Sequence, residues 1–478
     1  MSILVVDVGT SGVRAAIVRP DATVVHVHHH PVLPTSPAPS LVEFDPLILA
    51  EAALDVARRA LADGGPVDAV GIANQRASTI VWDRLTGQPV GPGIGWQDLR
   101  TVGECLLLQA QGIRVAPNAS ATKVAYLLGQ TKEREHLAFG TVDSWIAWTL
   151  SGQTLHVTDA TNAGVTGLRQ ADGKGWSEKV LAALDIPESI LPSVVDSTGI
   201  VGSATALDGA PPIAGIAGDQ QASLVGQACV EAGLAKITFG TGGMLDACTG
   251  ADRPGFEYRG DGGCFPIVAW QAGGERVWGV EAMMLAAGTN VEWLRDDLGI
   301  IATAAESHDV ASACAETGDV WYVPALLGLG TPYWDFGARG TLVGLTRGTG
   351  RPEVVRAVLE GVAQRGADLV DAAEADAAAA FPTIRVDGGM TANPTFLQAL
   401  ADACARPVEV APVTEATTLG AAFLAGMAVG TWGGFADVAA AWRPSHTVEP
   451  SGPAKRDRWR DAVSRAERWY PELSALDF

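Results

Sequence analysis

Ile3-Leu4-Val5-Val6-Asp7-Val8-Gly9-Thr10-Ser11-Gly12-Val13-Arg14-Ala15-Ala16-Ile17-Val18 is the stretch from which the fold is read. Residues 3–8 are almost continuously apolar, as in a strand covered on both faces, and Asp7 interrupts them near the end. Gly9-Thr10-Ser11-Gly12 then turns the chain into a second apolar run, Val13 to Val18, so a hairpin is predicted rather than a strand-to-helix turn. A third strand near Thr23 to His28 completes a meander. The theme returns where Ala235 to Phe239 runs into Gly240-Thr241-Gly242-Gly243 and further apolar residues. The echo is weak, yet it points to two related halves facing one another. A Pro- and Gly-bearing stretch from Asp208 to Gly218 precedes the boundary, which gives one domain at 1–232 and another at 233–478.

Helices are predicted between these strands. Asp45-Pro46 reads as an N-cap with proline at the first helical position, and Gly64-Gly65 closes that helix. Val67 to Ala73 is a strand delivering Asn74-Gln75-Arg76, and Val142 to Leu150 is a short Trp-bearing helix. A long Ala-rich helix from about Glu353 to Ala380 leads into strand Ile384 to Asp387, followed by Gly388-Gly389, a helix, strand Val408 to Ala411 and a helix from Thr418. Strands alternating with helices in both halves imply α/β domains.

The 478 residues are 47% hydrophobic and 18% charged, which excludes a mainly disordered or collagen-like chain. Thirty-three Lys and Arg against 54 Asp and Glu give a formal charge of −21 with no basic block, so neither nucleic acid nor an anionic membrane is expected as a partner. Six cysteines without a C-x-x-C pair argue against a zinc ribbon, a redox centre or a disulfide scaffold. The opening apolar run is short and has no cationic leader, which makes the cytoplasm the expected location. Residues 416–435 are uncharged and long enough to span a membrane, but their five glycines and three threonines fit a buried helix better.

Three glycine-bearing turns, each directly after an apolar strand, are candidate phosphate sites: Gly9 to Gly12, Gly240 to Gly243, and Gly388-Gly389 behind Asp387. Glycine lets backbone N–H groups approach an anion, neighbouring hydroxyls add donors, and a strand-end Asp7 can hold hydrated Mg²⁺. Neither a G-x-x-x-x-G-K-[ST] loop nor a G-x-G-x-x-G fingerprint is present. Asp219, in Gly218-Asp219-Gln220-Gln221, is a carboxylate that could take the proton of an attacking hydroxyl, with Gln220 bonding another; a cap on the following helix is the plain alternative. Asn74-Gln75-Arg76 is a polar cluster ending a buried strand, and Trp96 could floor a sugar site with its ring. Asp335-Phe336-Gly337 spells a protein-kinase tripeptide without the catalytic loop that should precede it. His26, His28 and His30 share a strand face but lack a local carboxylate-rich partner motif, so a solvated strand end is expected instead of a metal.

With these residues placed, the chain resembles the FGGY carbohydrate kinases over nearly its whole length, and within them the glycerol kinase branch. The runs that carry the resemblance are Asp7 to Arg14, Gly71 to Arg76, Val142 to Trp145, His156 to Asp159, Gly215 to Ala222, Phe239 to Gly242, Gly328 to Asp335, Gly344 to Gly348, Arg385 to Gly389 and Thr418 to Ala422. The resemblance implies two ribonuclease-H-like domains of the actin and Hsp70 type, with ATP and substrate in the cleft between them. It implies ATP and Mg²⁺ as cofactors, and transfer of the γ-phosphoryl group to a primary hydroxyl of a polyol or ketose. Thr10, Ser11, Gly12 and Arg14 would then contact the phosphates, with Asp7 near the metal. Thr241, Gly288, Gly389 and Asn393 would hold the nucleotide from the second domain. Asp219 would be the general base, and Arg76, Trp96, Asn118, Gln220 and Met244 would line the acceptor pocket. The expected partner is a small polyol or sugar and, at most, a second copy in a homodimer.

Departures from the family pattern sharpen the expectation. Ala77 stands where glycerol kinases carry a carboxylate, Asn118 replaces a tyrosine, and Gly243-Met244 replaces Cys-Phe. Each change removes bulk or a hydrogen bond around a small triol, on the order of 1–3 kcal/mol for each unmet buried group, so a four- or five-carbon acceptor is expected. The stretch around Ala206-Leu207-Asp208-Gly209 carries no cation where the family's sugar-bisphosphate loop lies, and inhibition through it is not expected. A glycerol kinase proper, or a nucleotide-binding scaffold whose pocket has decayed, are the alternatives.

Overall fold

β1 (Ile3–Gly9) and β2 (Gly12–Val18) form the predicted hairpin, paired from Ile3 with Val18 to Gly9 with Gly12. The structure is a computed structural model and describes residues 2–413 and 415–477. β3 (Val24–Pro31) adds antiparallel to β2, while β4 (Ala69–Asn74) lies parallel to β1 on its other side. β5 (Thr198–Ser203) and β6 (Pro212–Gly218) complete this half-sheet, with β6 parallel to β4. Every residue of β4 is buried, as its unbroken apolar sequence requires.

The second half repeats the plan. β7 (Ala235–Phe239) pairs antiparallel with β8 (Gly243–Gly250), which is followed across the sheet by β10 (Glu275–Met284) and β9 (Phe265–Ala272). On its other side β7 takes β11 (Ile384–Asp387) in parallel, then β12 (Val408–Val410) in parallel and β13 (His446–Val448) antiparallel. A hairpin flanked by a parallel strand thus occurs twice, at β1, β2 and β4 and at β7, β8 and β11. The halves meet edge to edge through the single pair Thr198 and Ala272, giving one run of 13 strands.

Two helices cross between the halves. α1 (Asp219–Gly226) leaves β6, and α2 (Ala416–Ala428) packs against it and against β4 and β6 of the first half. A Cβ on Gly226 would fall 2.9 Å from the nitrogen of Gly420, and the reverse holds for Gly420, so only glycine allows this approach. α2 is the buried helix expected within residues 416–435, though it stops at Ala428; no helix among the described residues is long and apolar enough to cross a membrane. Several predicted bounds shift by a few residues. The third strand runs to Pro31, and the long helix covers Arg351–Ala377.

His28 and His30 face Asp63 and Asp55 separately, at 2.8 and 3.6 Å, and no group of three or more His, Cys, Asp or Glu placed to hold a metal occurs among the described residues. The Asp335 carboxylate anchors a loop, accepting from Gly337 N, Ala338 N, Arg468 N and the Ser474 hydroxyl.

Candidate active site

Asp219 is the first residue of α1, directly behind the buried end of β6. Its side chain is 30% exposed, and the Nε of Arg76 lies 3.4 Å from its Oδ1. Burial pushes its carboxyl above the ordinary carboxylate range, while Arg76 and the Gln220 backbone N–H pull it back. Arg76 follows β4 because Asn74 and Gln75 are fixed behind it. Asn74 exchanges side-chain hydrogen bonds with Asn162 at 2.8 and 3.1 Å, Asn162 donates to Asp159 at 2.9 Å, and Gln75 N donates to Val8 O at 2.7 Å. Asp159 also accepts from the Ser197 hydroxyl at 2.7 Å. This buried polar net joins β1, β4 and the segment before β5, so the strand end cannot shift alone.

Arg76 also reaches into the second half, where its Nη1 lies 2.6 Å from Glu281 Oε2. Glu281 of β10 is the direct cross-strand neighbour of Asp246 on β8, and Asp246 is that of Lys236 on β7. Lys236 Nζ lies 2.7 Å from Asp246 Oδ2 and donates to Gln220 Oε1 at 2.7 Å and Thr238 Oγ1 at 2.9 Å. A row of three charged residues on adjacent strands therefore holds both neighbours of Asp219, Arg76 at one end and Gln220 at the other. Burial raises Glu281 to about 7, with Arg76 opposing and Asp246 adding to the rise.

Asp7 faces Arg14 across the first hairpin. Burial lifts its carboxyl to about 7, Arg14 lowers it, and the negative charge of Asp219 raises it again, which puts the two carboxylates within electrostatic reach. Thr10 Oγ1 accepts the Trp96 indole N–H at 3.2 Å, so the first turn and the Trp96 ring are joined directly. Ser11 is exposed, and Arg14 lies 3.9 Å from Glu415 of the second half. A Cβ on Gly12 would fall 2.7 Å from His30 O, so the turn must be glycine there.

The second-half turns assemble likewise. Gly288 N donates to Gly240 O at 2.9 Å, and Ala287 N and the Thr289 hydroxyl donate to Thr241 O. Gly388 has a φ of 94° and packs on Phe239, whose carbonyl carbon would lie 2.6 Å from an added Cβ. Gly389 beside it is exposed and open. Asp387 accepts from Ser223 at 3.3 Å, but its Oδ1 is buried without a hydrogen-bond partner among the described residues. Asn393 is occupied structurally: it caps the helix Pro394–Cys404 through Phe396 N and donates to Ser307. Met244 is half-buried on β8, and Asn118 is exposed, with its carbonyl accepting from Lys123.

Residues 2–226 match the FGGY family of carbohydrate kinases, N-terminal domain, and residues 235–429 match its C-terminal domain. The chain belongs to the FGGY family of carbohydrate kinases. It is 42% identical to the glycerol kinase of Aromatoleum aromaticum, over 98% of this chain and 99% of that one, and 39% identical to glycerol kinase 2 of Thermotoga maritima, with the same coverage. Among solved structures, the glycerol kinase of Plasmodium falciparum with ADP superposes with a TM-score of 0.91 at 26% identity, covering 100% of this chain and 99% of that one. A xylulose kinase from Lactobacillus acidophilus shares the fold with a TM-score of 0.85 at 20% identity, covering 99% and 98%. The fold is thus the expected pair of ribonuclease-H-like domains, and the protein is an ATP-dependent carbohydrate kinase with an alcohol group as acceptor.

Sequence reasoning missed Lys236, Asp246, Glu281 and Lys123. The signal was present for two of them: a lone lysine in Ala235-Lys236-Ile237-Thr238-Phe239 and a lone aspartate in Met244-Leu245-Asp246-Ala247 are charges inside otherwise buried strands.

Proposed function

We propose that the acceptor is a neutral polyol or ketose of four or five carbons, phosphorylated on a primary hydroxyl, with Asp219 as the base. The observation that carries this reading is the partly exposed Asp219 carboxylate, which has Arg76 Nε 3.4 Å away, accepts the Gln220 backbone N–H at 2.8 Å and is raised by burial. Asp219 takes the proton of the acceptor hydroxyl as that oxygen bonds to the γ-phosphorus, and the bond from phosphorus to the bridging oxygen of ADP breaks. Trp96 and Met244 offer apolar surface, Arg76 and Gln220 offer donors, and Asn118 offers an amide where bulk is missing.

Amides and hydroxyls of Thr10, Ser11 and Gly12, together with Arg14, receive phosphate oxygens, while Thr241, Gly288 and Gly389 line the nucleotide from the other side. Asn393 contributes through the helix it caps. Magnesium fits this oxygen-only set: it keeps several waters and needs one or two carboxylates besides phosphate, which Asp7 and the unpartnered Oδ1 of Asp387 supply. When bound, the ion neutralises charge on the transferring group. The domains divide at 232/233, a reading supported by the strand plan that restarts at β7. All six cysteines are free thiols, which fits the reducing cytoplasm.

Glycerol is the second reading, favoured by identities near 40% to glycerol kinases. A panel of three- to five-carbon polyols and ketoses with ADP release as readout separates the two. Turnover highest with a four- or five-carbon acceptor supports the proposal, highest turnover with glycerol favours the second reading, and no acceptor-dependent ADP with any of them points to a nucleotide-binding scaffold.

A further inference from the structure

Lys123 lies outside the motifs that define the site, on the helix Ala121–Leu128, and is completely buried. Its Nζ donates to three backbone carbonyls: Gly95 O at 3.0 Å, Trp96 O at 3.1 Å and Asn118 O at 3.1 Å. All three ammonium donors are thereby used on main chain, from two separate loops. Asp98 and Arg100, whose charges also act on it, are paired with each other at 2.8 Å. Burial pushes Lys123 down to about 7. Burying an amine without a carboxylate partner is unfavourable against an apolar side chain of similar volume, so packing alone gives no reason for a lysine here.

The two loops carry the reason. One presents Trp96, whose ring N–H meets Thr10 of the first phosphate turn; the other presents Asn118. The next residue but one, Ser120, donates to Ala77 O at 2.9 Å, tying in another of the altered pocket positions. We propose that Lys123 is a positioning residue for the phosphoryl acceptor: by gripping the Gly95-Trp96 and Asn118 backbones at one point it fixes the separation of Trp96 and Asn118, and so the length of acceptor the pocket selects. The inference rests on the acceptor site proposed above.

The test compares wild type with Lys123→Met, which keeps the stem and loses the donors, and Lys123→Arg, which keeps the charge. In steady-state kinetics Lys123→Met is expected to raise the KM of the best acceptor about tenfold or more, since partners of a buried group are left unmet, with a much smaller change in the KM of ATP. Its kcat/KM values across the three- to five-carbon panel should converge, and Lys123→Arg should recover part of the selectivity. Amide hydrogen exchange on the unliganded protein should quicken in residues 94–97 and 117–120 and stay unchanged in the helix Val142–Leu150. An unchanged acceptor KM, or equal rises in both KM values with faster exchange everywhere, overturns the proposal. Should Lys123→Met fail to fold, the same readouts on Lys123→Gln decide. A wild type inactive toward every acceptor refutes the acceptor reading itself, whereas an active wild type with an indifferent Lys123→Met refutes only the role of Lys123.

Discussion

The guanidinium of Arg76 and the carboxylate of Glu281 meet at 2.6 Å, from opposite halves of the molecule, while the same guanidinium stands 3.4 Å from Asp219. The residue beside the proposed base is therefore oriented by the other domain. Glu281→Ala should cost about 3–5 kcal/mol of stability, because it strands a buried arginine. Glu281→Gln should cost less and let Arg76 move toward Asp219, which lowers the basicity of the carboxylate and kcat with it. Chemical denaturation and steady-state rates check both.

Asp219 should set the acid limb of kcat/KM. Burial raises its pKa from the ordinary 3.8, so at pH values below the raised pKa it holds a proton and cannot accept another. The rate should fall about tenfold per pH unit on the acid side, beginning above the normal carboxylate range, and Glu281→Gln should move the limb to lower pH. A profile flat down to about pH 4 contradicts the assignment.

Asp143 gives a separate pH signature, in stability. It is fully buried, accepts from Thr141, from Thr158 at 2.7 Å and from Asp159 N at 3.2 Å, and is raised to about 7 by burial and by the neighbouring Asp159. Its folded pKa exceeds the unfolded value, so its contribution is complete below about pH 4 and is lost as pH rises through about 7. Asp143→Asn should flatten the fall of stability between about pH 4 and 7 relative to wild type, by on the order of 1 kcal/mol per pH unit at the steepest, read as a flatter profile of Tm against pH. An identical slope in the variant contradicts the shift.

Gly388→Ala tests the nucleotide side. The position has a left-handed φ of 94°, and an added methyl would meet the carbonyl group of Phe239. The turn must then move, and the KM for ATP should rise by about tenfold or more, with the acceptor KM little changed.

Ala77→Glu tests the acceptor side. Restoring a carboxylate there, alone or with Asn118→Tyr and Met244→Phe, should raise kcat/KM for glycerol by roughly ten- to hundredfold, the worth of one or two buried hydrogen bonds. Lower glycerol activity in every such variant contradicts the account of the pocket.

The strand-turn-strand segments were legible because unbroken apolar runs ended by glycines have few other solutions, and β1, β2, β7 and β8 appear where residues 3–18, residues 235–239 and the apolar residues after Gly243 predict them. Asp219, Arg76 and Gln220 were legible as polar residues at the ends of buried strands. What could not be read is pairing across the sheet. Lys236, Asp246 and Glu281 form one row only because β7, β8 and β10 are in a particular register, and register is set by tertiary packing. Lys123 was hidden for a related reason: its partners are carbonyls, which every residue possesses. Asn393 has a further role that its position in a family motif does not announce, as the cap of the helix that follows it.

The most direct test of the account is phosphate transfer by Asp219→Asn, measured with γ-labelled ATP and the best acceptor, alongside ADP binding and thermal melting of the same variant. The account predicts a folded protein that binds ADP as wild type does and places no label on the acceptor. Label transferred at the wild-type rate would contradict it, because some other group would then be taking the hydroxyl proton.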